Sequence, residues 1–151
     1  MIEIFVDADA CPVKDEIYVV ATRYGIPVVL VANAPIHVPH GMGIELVVVG
    51  RDPDAADDWI ARNVRPGDVV ITADVPLAAR CLEAGAHALG TSGRAFDADS
   101  IGGALAMRDL LAQRREAGEI TRGPAPISAK DRSRFLGALD QIAQRSLRET
   151  R

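Results

Sequence analysis

The chain has 151 residues, of which 48% are hydrophobic and 25% are charged. These values are typical of one compact domain and exclude a disordered or fibrous chain. The formal net charge is −4, and aromatic residues make up only 4%, too few for a platform on which nucleic-acid bases stack.

The sequence contains neither a membrane span nor a disulfide framework. No segment approaches the ~18 consecutive apolar residues of a transmembrane helix. Glu3, Asp7 and Asp9 stand where a signal peptide would carry basic and apolar residues. Cys11 and Cys81 are 70 positions apart without a CxxC pair, which favours a reducing compartment. We therefore expect a cytoplasmic protein that does not bind a membrane.

The first ninety residues alternate between β-branched runs and segments with helical spacing. The runs predict five strands, at 2–6, 27–32, 44–49, 68–72 and 86–89. The intervening segments predict helices, at 12–24, 54–64 and 75–84. Such alternation is typical of right-handed βαβ crossovers. We predict an α/β fold, with a parallel sheet of about five strands and helices on both faces.

After Gly90 the pattern becomes helical, so residues 98–149 are expected to form the helical C-terminal part of the same single domain, 1–151. Residues 100–117 predict one helix. Ser128 to Asp131 have the pattern of a helix start, and Phe135 and Leu139 follow at helical spacing. The tail after Gln144 is polar and is expected to fray.

Polar side chains follow four of the predicted strands. Asp7 and Asp9 follow the first strand, Asn33 the second and Asp74 the fourth. The third strand is followed by a group of acids, namely Asp52, Asp54, Asp57 and Asp58. In a parallel sheet the carboxyl ends of the strands share one edge, where ligands bind. The sequence therefore predicts an acidic edge.

Some of these acids have a simpler role, because an acid at a helix start can cap the helix or complement its dipole. That explanation suffices for Asp52 and Asp58 and is favoured for Asp54. It suits the remaining four poorly, namely Asp7, Asp9, Asp57 and Asp74. Two carboxylates ~5 Å apart repel by about 3 kcal/mol at an effective dielectric of 20. Unless the strand order separates them, they predict a site for Mg²⁺ or Mn²⁺.

Positive charge is concentrated near the C-terminus. Residues 1–100 have 15 acids and 7 bases, whereas residues 101–151 have 6 acids and 10 bases. Solvated Arg-rich helices explain this, and so does a basic surface beside the acidic edge that attracts a phosphate. Lys14 could likewise contact a phosphate or pair with Asp15. Cys11 is interpreted as a buried or capping residue rather than a nucleophile, since no histidine is near it in sequence.

Several motifs run along the chain: Asp7–Pro12 (DADACP), Val31–Asn33 (VAN), Asp54–Asp57 (DAAD), Gly67–Ala78 (GDVVITADVPLA), Met107–Asp109 (MRD) and Asp131–Phe135 (DRSRF). Together they resemble the YaiI/YqxD family of bacterial proteins over nearly the whole chain. The fold of that family is considered similar to that of PIN-like nucleases, which hold Mg²⁺ or Mn²⁺ with acidic residues and hydrolyse RNA. The resemblance implies a metal site formed by Asp7, Asp9, Asp57 and Asp74.

The leading hypothesis is a Mg²⁺- or Mn²⁺-dependent phosphodiesterase that hydrolyses RNA with a metal-activated water. Asp7, Asp57 and Asp74 would be ligands, and Asp9 a ligand or the base that orients water, so that Asp7 and Asp9 are the catalytic pair. The predicted substrate contacts are Lys14, Asn33 and Arg108.

Two alternatives stay open. A strand followed by Asp-x-Asp also resembles the opening of haloacid-dehalogenase-like phosphatases, with Asp7 as nucleophile. That superfamily needs a lysine ahead of a terminal acidic pair, and here Lys14 comes too early and Lys130 follows Asp74. The second alternative is a non-catalytic module that binds RNA or protein and keeps the acidic edge for structure.

Overall fold

The computed structural model describes residues 2–41, 43–52, 54–97, 101 and 127–150. The strands of this part are β1 Ile4–Asp7, β2 Val28–Ala32, β3 Ile44–Val48, β4 Val69–Ile71, β5 His87–Leu89 and β6 Ala95–Phe96. Its helices are α1 Lys14–Tyr24, α2 Ala55–Asn63, α3 Val75–Glu83 and α4 Ala129–Glu149. A 3-10 turn over Ala8–Ala10 follows β1. No described helix is long and apolar enough to cross a membrane.

The strands form one sheet in the order β3-β2-β1-β4-β5-β6. Strands β1 to β5 are parallel, and β6 runs antiparallel to β5. The predicted α/β fold with five parallel strands is confirmed, and β6 is an addition. Only two residues long, β6 carries no hydrophobic pattern. It returns along β5 through a tight turn in which Gly93 adopts a φ of 90°, a conformation that suits glycine.

The order of the strands creates a crevice between β1 and β4. From β1 the chain moves outward to β2 and β3, then returns to place β4 on the other side of β1. Connections that leave two neighbouring parallel strands in opposite directions open a crevice at their carboxyl ends, where ligands of α/β proteins bind. The residues that directly follow β1 and β4 therefore lie at the position where such folds place their sites.

Helices cover both faces of the sheet, as predicted. On one face α1 and α4 pack over Ile4, Leu30 and Ile71, and on the other α2 and α3 pack over Phe5 and Val70. These strand residues are almost fully buried, which explains their nearly continuous apolar character.

The C-terminal helix ends at Glu149, where the helical segment predicted over 98–149 ends. The Ser128 hydroxyl caps α4 by accepting a hydrogen bond from the Asp131 N–H at 3.1 Å, and Phe135 and Leu139 are fully buried. The expectation that the tail after Gln144 frays is wrong. The buried Ser146 hydroxyl donates to the Gly67 carbonyl, so α4 continues to Glu149. The helix predicted over 100–117 lies largely outside the described residues.

Candidate functional site

A buried threonine joins the ends of β1 and β4. Thr72 follows β4 directly and is 1% exposed. Its hydroxyl donates to Oδ2 of Asp7, the last residue of β1, at 3.2 Å, and accepts from the N–H of Asp74 at 3.0 Å. Thr72 was not predicted as a site residue. The available signal was a hydroxyl side chain at the end of an otherwise apolar strand.

Asp74 caps α3. Its Oδ1 accepts a hydrogen bond from the Leu77 N–H at 2.9 Å, and Pro76 stands in the first helical turn, an arrangement that favours helix initiation. Asp74 therefore caps a helix, although its sequence position favours a metal ligand over a cap. A cap does not exclude a second role, because the carboxylate charge still acts on the neighbouring acids.

Asp57 lies half-buried in the first turn of α2. Burial raises the pKa of its carboxyl from 3.8 to about 6, and the charges of Asp74, Asp7 and Asp54 contribute, while Arg80 opposes them. Asp57 is therefore within electrostatic range of the two acids at the β1–β4 crevice. Its carboxyl titrates close to neutral pH.

The pKa of Asp7 is shifted by burial and by neighbouring acids in a similar way. Burial raises the pKa of the Asp7 carboxyl above its ordinary value, the hydrogen bond from Thr72 opposes the rise, and the charges of Asp9 and Asp74 add to it. The structure thus brings Asp7, Asp9, Asp57 and Asp74 to one edge of the sheet, as the strand pattern predicts. They do not form a ready ligand cage: in the described ranges, no three His, Cys, Asp or Glu side chains are grouped so that they could hold one ion.

Asp9 points toward the end of β2. It is exposed, and its Oδ1 and Oδ2 accept from the backbone N–H of Asn33 at 3.1 and 2.9 Å. The Asn33 side-chain amide donates in turn to the carbonyls of Gly50 and Asp52 at 2.8 and 3.3 Å. Asn33 thereby links the loops after β1, β2 and β3, and its contact with substrate stays a prediction.

The other acids after β3 have local roles. Asp52 Oδ1 accepts from the Asp54 N–H at 2.9 Å, and Asp58 pairs with Arg80 at 2.9 Å. Asp54 occupies the N-cap position of α2 without a side-chain cap hydrogen bond, so only its charge complements the helix dipole. These contacts agree with assigning Asp52 and Asp58 to structure rather than to a metal site.

Cys11 and Lys14 lie near the start of α1. Burial raises the pKa of the Cys11 thiol, and a backbone hydrogen bond at Val13 and the charge of Lys14 only partly oppose the rise. A thiol that remains protonated at neutral pH is a poor nucleophile, which supports the structural interpretation of Cys11. Lys14 is the first residue of α1. Its predicted phosphate contact stays a prediction, and Arg108 lies outside the described residues.

Part of the basic C-terminal region borders the same edge. Arg132 in α4 donates from Nη1 to the Pro12 carbonyl at 2.7 Å and pairs with Glu16 at 3.3 Å. A side chain at Gly93, in the turn after β5, would lie 3.0 Å from the backbone of Arg134. The first turns of α4 therefore lie beside the carboxyl ends of β1 and β5.

A cavity of about 230 Å³ lies on the other side of the molecule, beside α2. Its lining includes Glu3 and Arg65, which precede β1 and β4, and Trp59 of α2. None of the predicted site residues lines it. The acidic edge is therefore separate from this cavity.

Comparison with known proteins identifies relatives of similar length. The UPF0178 protein of Rhodospirillum rubrum is 56% identical over 143 residues, which cover 94% of this chain and 95% of the relative. A UPF0178 protein of Rhodopseudomonas palustris is 54% identical over 145 residues, covering 96% and 92%, and one of Caulobacter sp. is 53% identical over the full length of both chains. No solved structure matches. The family model described as "Uncharacterized BCR, YaiI/YqxD family" matches residues 5–145, and the chain therefore belongs to the YaiI/YqxD family.

Proposed function

We propose that this protein is a phosphodiesterase that depends on Mg²⁺ or Mn²⁺ and hydrolyses RNA. The observation that carries the proposal is the placement of Asp7 and Asp74 on either side of the Thr72 hydroxyl at the β1–β4 crevice, with Asp57 near enough for their charges to raise the pKa of its carboxyl. A protein gains nothing in stability from half-burying several carboxylates side by side, since like charges repel. A cation at this edge would remove that repulsion.

The donor chemistry fits a hard divalent cation. All the candidate ligands are carboxylate oxygens, which Mg²⁺ and Mn²⁺ prefer to nitrogen or sulfur. Mg²⁺ typically keeps several waters and binds through one or two carboxylates together with substrate phosphates. That mode of binding suits acids that share an edge without converging as a group of three.

The side chains of the edge have distinct proposed roles. Asp7, Asp57 and Asp74 would hold the cation, directly or through its bound waters, Asp74 while keeping its cap on α3. When bound, the cation would neutralise the charge that develops on the phosphate and lower the pKa of the attacking water. The exposed carboxylate of Asp9, held by Asn33, would orient that water or serve as a further ligand. Lys14, Asn33 and Arg108 would contact the substrate.

A cleavage screen tests the proposal directly. Single-stranded and structured RNAs are incubated with the protein in Mg²⁺, in Mn²⁺ and in chelator. We expect cleavage that requires the cation and that Asp7→Asn abolishes. Glu83→Gln, an exposed change at the far end of α3, is the matched control and should cleave like the wild type. Cleavage that persists in chelator or in Asp7→Asn would contradict the proposal.

A non-catalytic binding module is the second candidate, and one observation favours it. Asp9, Asp74 and Asn33 all make hydrogen bonds that stabilise local structure, as expected if the edge serves the fold. The same RNAs distinguish the two candidates in a binding assay. Binding without cleavage under every metal condition would favour the module over the enzyme.

A further inference from the structure

The connection between β1 and α1 is held at both of its ends. We call residues 8–13, which carry Asp9, the β1–α1 turn. At one end the Asp9 carboxylate accepts from the Asn33 N–H at 2.9 Å. At the other end the Pro12 carbonyl accepts from Nη1 of Arg132 in α4 at 2.7 Å. The turn is therefore fixed by two segments that are distant from it in sequence, the residue after β2 and helix α4.

The Pro12 carbonyl lies outside the hydrogen-bond ladder of α1. The backbone bond at the start of the helix runs from the Ile17 N–H to the Val13 carbonyl at 3.1 Å, one residue beyond Pro12. Val13, at the N-cap position, makes no side-chain cap hydrogen bond. The start of α1 thus lacks a side-chain cap. Arg132 does not replace that cap, because the unpaired groups at a helix start are N–H donors, but it fixes the carbonyl of the residue just before the N-cap position.

Glu16 holds Arg132 in place for this contact. Its Oε1 lies 3.3 Å from Nη1 of Arg132, with the Glu16 side chain 17% and the Arg132 side chain 41% exposed. The Glu16 Oε2 is buried and has no hydrogen-bond partner within the described ranges. Nη1 of Arg132 therefore donates to a carboxylate and to a carbonyl at once, which its two hydrogens allow.

We propose that Arg132 is the positioning residue through which the C-terminal helix controls the acidic edge. By fixing the Pro12 carbonyl, it keeps the β1–α1 turn in the conformation that directs Asp9 toward Asn33 and leaves Asp7 at the crevice. The part of this inference that concerns cation affinity rests on the proposed function. The part that concerns the shape of the turn does not.

Two readouts test the inference on the full chain. The first is Mn²⁺ affinity, measured from the electron paramagnetic resonance signal of free Mn²⁺. The second is the chemical shift of the Asn33 amide proton in metal-free protein, which reports its bond to Asp9. In Arg132→Ala we expect binding up to about tenfold weaker, the lower end of the effect of losing a hydrogen-bond partner of a ligand, because Arg132 acts on the ligands through the turn and not directly. We also expect the Asn33 proton to move upfield as its bond weakens.

Three further variants make the test specific. Arg132→Lys keeps the positive charge but not the guanidinium group. Its Mn²⁺ affinity and its Asn33 amide shift should lie between those of Arg132→Ala and those of the wild type. Glu16→Gln should change the Mn²⁺ affinity and the Asn33 amide shift in the same direction as Arg132→Ala, but by less. This variant replaces Arg132→Ala in the test if Arg132→Ala does not fold. Arg145→Ala, an exposed change on the same helix, should leave both unchanged.

The two proposals fail in different ways. A wild type that does not bind Mn²⁺ would refute the metal site, while the Asn33 signal would still decide the role of Arg132. Wild-type values of the Asn33 shift in both Arg132→Ala and Glu16→Gln would overturn the positioning role. An equal change in Arg145→Ala would also overturn it, because the effect would then be general to α4.

Discussion

The residue that joins the two halves of the acidic edge is Thr72. Its hydroxyl is the shared partner of the Asp7 carboxylate and the Asp74 N–H, and it is almost completely buried. Buried polar groups that lose their partner pay the full cost of desolvation. At the carboxyl end of these strands, the hydrogen-bonded link between Asp7 and Asp74 therefore runs through one oxygen atom.

Replacing that oxygen by a methyl group should be costly although the shape is unchanged. Thr72→Val is expected to lower the free energy of unfolding by about 1–3 kcal/mol, because it removes the hydroxyl that bonds to the Asp7 carboxylate and to the Asp74 N–H. It should also raise the pKa of Asp7 further, since the bond that opposes the rise is lost. Denaturant titration measures the first effect, and Thr72→Ser, which keeps the hydroxyl, is the control. A Thr72→Val protein as stable as Thr72→Ser would contradict this role.

Asp57 makes the stability of the protein depend on pH. Since its pKa is raised to about 6, the folded protein binds this proton more tightly than the unfolded chain. Ionisation of Asp57 therefore destabilises the fold. This contribution is absent below about pH 4, grows as the pH rises toward 6, and is complete above that range.

Asp57→Asn should remove this pH-dependent loss. Relative to the wild type, the variant is expected to gain stability between pH 4 and pH 7 in metal-free buffer, by about 1 kcal/mol or less, because the half-exposed side chain is partly screened by solvent. Denaturant titrations at pH 4.5 and pH 7 provide the comparison. If the wild type and Asp57→Asn differ in free energy of unfolding by the same amount at both pH values, Asp57 does not change its protonation in this range.

At the scale of elements, the starts of the helices do not separate structural acids from candidate ligands. Helices α3 and α4 begin with side-chain caps from Asp74 and Ser128, whereas α1 and α2 have none. Asp74 is therefore both a cap and a member of the acidic edge. Substitutions that keep one of these properties and remove the other can distinguish them.

Asp74→Asn and Asp74→Ala provide that separation. Asparagine can cap α3 without a charge, so Asp74→Asn should raise the melting temperature of the chelator-treated protein and abolish the stabilisation that Mn²⁺ gives the wild type. Asp74→Ala also loses the cap and should cost ~0.5–2 kcal/mol. Thermal melts with Mn²⁺ and with chelator measure both effects. A wild-type melt that ignores Mn²⁺, with two variants that are only destabilised, would leave Asp74 as a cap alone.

The elements themselves were largely predictable from the sequence. Buried strands such as β2 and β4 have continuous β-branched runs, and Gly25, with a φ of 65°, ends α1 where expected. Each difference between the predicted and the observed elements has a specific structural cause. Strand β6 is too short for a pattern, and Pro12 and Val13 form a turn before α1 rather than its first turn. The end of α4 depends on Ser146, whose partner Gly67 is distant in sequence.

At the scale of the whole molecule, the strand order assembles the candidate site. Because β1 and β4 are neighbours, side chains separated by more than sixty residues, such as Asp7 and Asp74, share one edge. The parallel strand pattern was enough to predict that shared edge. It could not predict the partners that hold each side chain, such as Thr72 on Asp7 or Arg132 on Pro12, because those contacts depend on packing between distant elements.

The central claim is that a divalent cation binds among Asp7, Asp57 and Asp74, and anomalous diffraction from a crystal soaked in Mn²⁺ tests it most directly. We expect an anomalous peak at the carboxyl edge between β1 and β4 in the wild type, and we expect this peak to be absent from Asp7→Asn. Crystals in which lattice contacts leave that edge open make the test decisive. Absence of the peak from such a crystal at millimolar Mn²⁺ would contradict the account.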